Sequence, residues 1–179
     1  MKICKPYKEC DLTQLSQRFG VNVLPRQPKG HTGIDFSYKY GTFLVAPENV
    51  VVRSVIKANN INKDTTPLLR GYGIEMSSLE NPTRVHLYWH CLPVFPVKVG
   101  DIVMQGEAVA QMGNSGFVMS GSNNEIVPVE VRTNAPYKGT HLHQEMRIDD
   151  KLVDPLRYID FSIPIKYNII NAINRLFLI

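Results

Sequence analysis

The segment KGTHLHQEMRID, residues 138–149, places two of the chain's five histidines, His141 and His143, one residue apart. In a β-strand, side chains two positions apart point to the same face and stand about 6 to 7 Å apart. Both imidazoles can therefore reach one common point. An isolated His-x-His pair is equally compatible with two polar residues on a solvated face, so a functional interpretation needs a partner elsewhere in the chain.

The segment GHTGIDF offers that partner, because His31 and Asp35 lie four residues apart around Gly33. Even spacing keeps both residues on one face of a strand, and the glycine allows the backbone to bend so that both aim at one centre. Two imidazole nitrogens and one carboxylate oxygen form a donor set typical of catalytic zinc, which leaves the fourth tetrahedral position for water. Thiolate-preferring metals are disfavoured because neither segment contains cysteine.

Short β-branched runs separated by Gly, Pro and Asn predict an all-β fold around these residues. GYGIEMSSL and RVHLYWHCL are two such runs, and EIVPVEVRT is a further candidate strand. VKVGDIVMQGEAVAQMGNSG has the pattern of a tight strand-turn-strand. The strands would supply the rigid frame on which the polar residues are held.

The end of the chain, residues 161–179, predicts a short amphipathic helix instead of a strand. Its apolar residues follow helical spacing, at Ile165, Ile169, Ile170, Ile173, Leu176 and Phe177. Such a stripe would pack against the sheet or another subunit. The alternative is docking to a membrane surface, a virion or another protein partner.

Composition limits the class of protein. A chain of 179 residues with 44% hydrophobic and 20% charged residues suits one soluble globular domain. The net charge of +4 favours polyanionic partners, but the basic residues are scattered, which argues against nucleic acid. Three cysteines give no disulfide framework, although a Cys4–Cys10 bridge is a minority alternative. The sequence predicts no transmembrane segment and no signal peptide.

The ordered series of motifs resembles the lysostaphin-like (LytM-type) zinc metallopeptidases over roughly residues 16–160. The series runs from His-x-x-x-Asp through GTFLVAPENVVV, GYGIEM, YWHCL, VKVGDIVMQGEAVAQMGNSG and HLH to VDPLRYI. The resemblance implies a central antiparallel sheet with a substrate groove over a Zn²⁺ ion. It also implies a single metallopeptidase domain over residues 1–160.

The resemblance further implies roles for the polar residues. His31, Asp35 and His143 would be the zinc ligands, and His90 and His141 the two catalytic histidines that do not bind the metal. Which of these two is the general base cannot be read from their spacing.

Three further residues are candidates for contacts that support the site. Glu145 continues the face of the His-x-His pair and would orient an imidazole. Tyr88 and His86 alternate with His90 on one strand, so all three would share a face, although the YWHCL pattern favours His90 as the catalytic residue.

By the same resemblance, the chain would be an endopeptidase that hydrolyses stem or cross-bridge peptides of bacterial peptidoglycan. Without a signal peptide, it would be a phage lysin or virion-associated component acting at the cell wall, or a bacterial enzyme exported by another route. Two departures from the family pattern are Gln144, where an aromatic or apolar residue is usual, and residues 117–140, an inserted loop or hairpin. The insertion would form a wall of the groove.

Two alternatives remain open. The first is a non-catalytic binding or activator module on the same fold, which the five filled site positions disfavour. The second is a biotinyl or lipoyl carrier, because VKVGDIVMQGEAVAQMG resembles the hairpins of such domains. A carrier requires a lysine at the hairpin tip, and the turn around Gln105 and Gly106 has none.

Overall fold

The computed structural model describes residues 2–21, 30–56, 70–120 and 125–165, which form fourteen strands and one α-helix. The elements in chain order are β1 (Ile3–Cys4), β2 (Leu15–Gln17), β3 (Ile34–Phe36), β4 (Phe43–Val45), β5 (Val50–Ile56), β6 (Tyr72–Ser78), β7 (Arg84–Cys91), β8 (Ile102–Val103), β9 (Ala108–Gln111), β10 (Met119–Ser120), β11 (Glu125–Ile126), α1 (Val129–Asn134), β12 (Leu142–Ile148), β13 (Lys151–Val153) and β14 (Ile159–Asp160). The predicted all-β fold is confirmed.

The central element is an eight-stranded sheet with the order β2-β3-β12-β7-β6-β5-β8, to which β13 adds by pairing with β12. Every pairing in this sheet is antiparallel, as predicted. In β12, Leu142, Gln144 and Met146 share one face of the strand, whereas His143 and Glu145 share the other. Strand alternation therefore places His143 and Glu145 on the face opposite the core, whereas the polar Gln144 lies on the core face.

The hydrophobic core lies between the large sheet and the two-stranded sheet β4–β9. Phe36, Ile74 and Leu142 from the large sheet and Leu44 and Val109 from the small one are fully buried members of this core. Burial of such side chains stabilises each by roughly 1.5–3 kcal/mol. The small sheet therefore covers one face of the large sheet, and His143 and Glu145 of β12 lie on the other.

The first residues of the chain belong to the same core. β1 pairs in parallel with β14, and Ile3 and Tyr7 are buried. The resemblance to the metallopeptidase family starts near residue 16, so this N-terminal segment is an addition to the fold of the family. All three cysteines are free and buried, so the Cys4–Cys10 bridge does not form.

The insertion at residues 117–140 combines a hairpin with a helix. β10 and β11 pair antiparallel, and α1 follows two residues later. The strand predicted for EIVPVEVRT is wrong beyond Ile126. Pro128 has no N–H to donate to a neighbouring strand, and it is the N-cap residue of α1.

The segment VKVGDIVMQGEAVAQMGNSG, which follows β7, does not form a hairpin. β8 pairs with β5 of the large sheet, whereas β9 pairs with β4 of the small sheet. The two strands therefore leave the turn for different sheets. The resemblance to a carrier hairpin is limited to the sequence.

Most of the predicted C-terminal helix, residues 166–179, lies outside the described residues. Residues 161–165 form a turn followed by irregular chain, so the helix does not begin at residue 161. Among the described helices, none is long and apolar enough to cross a membrane.

Candidate metal centre

The structure brings His31, Asp35 and His143 together. Asp35 in β3 and His143 in β12 are direct partners across the sheet. His31 precedes β3 and reaches the same point through a bend at Thr32 and Gly33. Three donor atoms therefore converge from two segments that are more than a hundred residues apart.

The spacing of the donors fits a zinc ion. His143 Nδ1 lies 2.8 Å from Asp35 Oδ1 and 2.9 Å from His31 Nε2, and His31 Nε2 lies 3.3 Å from Asp35 Oδ1. Tetrahedral ligands about 2.05 Å from zinc are about 3.3 Å apart. Both nitrogen donors and the oxygen donor suit this metal, and all three residues are buried. The three side chains therefore form a group that could hold a metal ion.

The ring nitrogens of His31 and His143 that point away from this group also have polar partners. His31 Nδ1 lies 3.3 Å from the carbonyl oxygen of Arg18, which accepts its proton. His143 Nε2 lies 3.2 Å from Oε1 of Glu145, and the hydroxyl of Thr32 donates to the same oxygen at 2.6 Å. Such contacts fix the tautomer and orientation of a ligating imidazole.

Charge is concentrated around these residues. Burial would raise the pKa of Asp35, but the imidazoles of His141, His143 and His31 outweigh it and hold that pKa well below its usual range. Burial would lower the pKa of His143, but hydrogen bonds to Asp35 and Glu145 raise it to about 9. The chain therefore surrounds an imidazole with two carboxylates, an arrangement that also favours a bound cation.

His90 reaches the site because β7 contains a β-bulge. The register between β6 and β7 shifts between Tyr72 and Ile74, so Gly73 faces two residues, Trp89 and His90. His90 has φ 60°, a left-handed conformation rare outside glycine. Bulges re-aim side chains, and this one interrupts the alternation of β7 just before His90.

The imidazole of His90 is held by the turn that follows β9. Its Nδ1–H donates to the carbonyl oxygen of Ser115 at 2.7 Å, and its ring centre lies 4.5 Å from that of His141. Burial and the neighbouring His141 and His143 rings hold the pKa of His90 well below its usual range. His90 is therefore neutral near pH 7, with Nε2 as its acceptor.

His141 lies immediately before β12, beside Asp35. Its Nδ1–H donates to the carbonyl oxygen of Gly139 at 2.9 Å, and its Nε2 lies 4.0 Å from Oδ2 of Asp35. The side chain keeps 14% of its surface exposed. His90 and His141 therefore have the same hydrogen-bonding pattern, in which a backbone carbonyl holds Nδ1.

The expectation that His86, Tyr88 and His90 share a face is wrong, because the bulge separates His90 from the other two. His86 and Tyr88 pair with Met146 and Gln144, on the core face of the sheet. Both are fully buried there.

The hydrogen bonds of His86 and Tyr88 lead away from the metal centre. His86 Nε2 lies 2.7 Å from Oε1 of Glu48, and the hydroxyl of Tyr88 donates to the carbonyl oxygen of Val45 at 3.0 Å. Their contacts support the core, on the face of the sheet opposite the candidate zinc ligands. Of the three supporting candidates, the structure brings only Glu145 to the site.

Besides the Thr32 hydroxyl that donates to Glu145, two further contributors were not predicted from the sequence. Ser115 supplies the carbonyl that holds His90, and Arg70 forms an ion pair with Glu145. Ser115 lies in the irregular segment GNSG that follows β9. Arg70 directly precedes the first glycine of GYG, and nothing in its spacing indicates a role.

Comparison with protein families agrees with this geometry. The sequence model described as Peptidase family M23 matches residues 29–155, a span that contains all five histidines and Asp35. No curated protein matches the sequence.

Solved structures share the fold. The catalytic domain of lysostaphin from Staphylococcus simulans aligns with a TM-score of 0.58 and 20% identity, over 80% of this chain and 90% of that one. LytU aligns with a TM-score of 0.58 and 25% identity, over 79% and 81% of the two chains.

A larger protein contains the same fold. A zinc-containing peptidase from Vibrio cholerae aligns with a TM-score of 0.61 and 20% identity, over 90% of this chain. This chain spans only 41% of that one.

Proposed function

Because the chain belongs to peptidase family M23, we propose that it is a zinc-dependent endopeptidase that hydrolyses stem or cross-bridge peptides of bacterial peptidoglycan. The observation that carries the proposal is the convergence of His31 Nε2, Asp35 Oδ1 and His143 Nδ1. Two further imidazoles lie beside this group, in an arrangement suited to proton transfer.

His31, Asp35 and His143 would hold the ion. Bound zinc supplies Lewis-acid polarisation of a carbonyl and lowers the pKa of water toward neutrality. The single carboxylate leaves a net positive charge at the site, and the buried position keeps that charge from being screened.

His90 and His141 would carry the protons. Because backbone carbonyls accept the Nδ1–H of both rings, each neutral imidazole presents Nε2 as a base. One ring would take a proton from the attacking water at its Nε2 and pass that same proton to the leaving amine. The other ring would stabilise the developing charge in its protonated form. The 4.5 Å separation of the two ring centres allows both to act on one substrate carbonyl.

The insertion at residues 117–140 would form a wall of the substrate groove. The guanidinium of Arg132 in α1 donates to the carbonyl oxygen of Asn114 at 2.7 Å, which ties the helix to the turn that holds His90. The insertion ends at Gly139 and Thr140, directly before His141. Loops on a rigid scaffold are a usual place for specificity, so the insertion would select among peptides.

The net charge of +4 suits an anionic wall. Delivery by a phage or virion, and a partner for residues 161–179, stay predictions. The alternative of a non-catalytic module has no observation in its favour, since all five site positions are filled.

Digestion of purified cell walls tests the proposal. The zinc-loaded chain should release peptide fragments whose new termini, read by mass spectrometry, identify the bond cleaved. The His141→Ala variant, loaded with zinc in the same way, is the matched control and should release fragments about 10²-fold more slowly or not at all. Absence of zinc from the purified chain and of released fragments from every wall tested would overturn the proposal and favour the binding module.

A further inference from the structure

Glu145 is a fully buried carboxylate that is held on both oxygens. Arg70 donates a hydrogen bond from Nη1 to Oε2 at 2.9 Å, and its Nη2 forms an ion pair with Oε1 at the same distance. Oε1 also accepts from the Thr32 hydroxyl at 2.6 Å and lies 3.2 Å from Nε2 of His143. The carboxylate therefore connects Arg70 to one of the candidate zinc ligands.

The side chain and main chain of Arg70 are both held by contacts with β7. Its guanidinium carbon lies 5.4 Å from the centre of the Trp89 ring, a cation–π contact on the site face of β7. Gly73 makes room for that ring, since a Cβ there would lie 2.4 Å from Cε3 of Trp89. The carbonyl oxygen of Arg70 accepts the backbone N–H of His90 at 3.0 Å.

We propose that Arg70 is a positioning residue of the metal centre, which fixes the ring of His143 through the carboxylate of Glu145. The inference rests on the proposed function for the ligand role of His143 and adds a residue that the family resemblance did not supply. The main chain of Arg70 also supports His90, so one residue joins the metal-binding half of the site to the proton-transfer half.

The chemistry explains why an arginine serves here. A buried carboxylate without a partner is strongly unfavourable, and the planar guanidinium can satisfy both oxygens at once. A lysine carries the same charge but makes only one such contact. With its carboxylate free to rotate, Glu145 would no longer hold Nε2 of His143 in place.

Arg147 provides a matched control. Its side chain is also 37% exposed and faces the same carboxylate, but its Nη2 lies 3.8 Å from Oε2, outside hydrogen-bonding distance. If only nearby positive charge mattered, the two arginines would have similar effects. If close contact with both carboxylate oxygens matters, only Arg70 is required.

The test measures zinc affinity by chelator competition in the full chain, without substrate. Arg70→Met should weaken zinc binding about 10- to 100-fold, the range typical of residues that orient a ligating histidine. Arg70→Lys should fall between this variant and the parent. Arg147→Met should change the affinity less than about threefold. The main-chain contact to His90 is present in every variant.

A second readout separates positioning from general destabilisation. In ¹⁵N spectra of the metal-free protein, Arg70→Met should shift the ring signals of His143 and leave those of His141 in place. Zinc affinity within threefold of the parent in Arg70→Met, or an equal loss in Arg147→Met, would overturn the inference. If the parent itself bound no zinc, the proposed function would fail as well, so the two failures are distinguishable.

Discussion

Gly33 lies so close to Gln144 that a Cβ at residue 33 would be 2.2 Å from the carbonyl oxygen of residue 144. This contact joins the bend after His31 to β12 directly beside His143. Only a residue without a side chain allows the two backbones to approach in this way. The glycine of His-x-x-x-Asp is therefore required for the convergence of the two histidines.

Gly33→Ala should consequently weaken zinc binding by more than tenfold, because the bend must move away from β12 and take His31 with it. Chelator competition measures the affinity, and urea unfolding measures stability. Gly41→Ala is the control, since Gly41 has φ 80° and open space around it. That variant should lose about 1 kcal/mol of stability and retain zinc. Equal zinc affinity in Gly33→Ala and the parent would contradict the argument.

Alanine substitutions should divide the five site residues into two groups. Replacement of His31, Asp35 or His143 should abolish both metal retention and activity. Replacement of His90 or His141 should leave the zinc content unchanged and lower turnover by about 10²-fold or more. Metal analysis and wall-peptide release measure the two effects. If the His141→Ala protein contained no zinc, the assignment of His141 as a catalytic residue that does not bind the metal would be wrong.

The part of the site that was predictable depends on regular strand geometry. Even spacing places His143 and Glu145 on one face of β12, and cross-strand pairing in β3 adds Asp35. Asp35 and His143 could be brought together by alternation and the resemblance alone. The same alternation explains why Leu142 and Met146 could be assigned to the core.

The remainder depends on departures from that geometry. His90 leaves the face of His86 and Tyr88 because of a bulge opposite Gly73, and a period of two residues contains no signal for that event. The partner of Glu145 is Arg70, 75 residues away along the chain. Local propensity failed in α1 for a related reason, since Pro128 ended the strand pattern although Val129, Val131 and Thr133 are β-branched.

Gln144 should be a site of stabilising substitution. Its side chain is fully buried on the core face of β12, and neither its amide oxygen nor its amide nitrogen has a hydrogen-bond partner among the described residues. An unpaired buried amide costs about 1–3 kcal/mol, so Gln144→Met should raise the free energy of unfolding by about 1 kcal/mol or more. Urea unfolding of the zinc-free protein measures the change.

A second glutamine serves as the control. The amide nitrogen of Gln111 donates to the carbonyl oxygen of Gly41 at 3.2 Å, so Gln111→Met removes a contact. That variant should be unchanged or less stable than the parent. A loss of stability in Gln144→Met would mean that the buried amide is satisfied in solution, contrary to the prediction.

Stability in acid should depend on Glu48, on the core side of the sheet. Glu48 is buried and accepts hydrogen bonds from Ser78, Arg84 and His86 at 2.6–2.7 Å. Burial would raise the pKa of Glu48, but the contacts with His86, Arg84 and Ser78 outweigh it and lower the pKa to about 2. A carboxylate whose pKa is lowered in the folded state contributes its full stabilisation of the fold at pH values above its ordinary pKa. This contribution is lost as the pH falls toward 2.

Glu48→Gln should therefore lower the free energy of unfolding near pH 6 and make its decline between about pH 4.5 and pH 2 shallower than in the parent. Urea unfolding at several pH values in this window measures both effects. Glu9→Gln removes the same charge at an exposed position and should retain the parent's slope. The argument is contradicted if the parent and Glu48→Gln lose stability in parallel across this pH window. Parallel loss would mean that the pKa of Glu48 is not lower in the folded protein than in the unfolded chain.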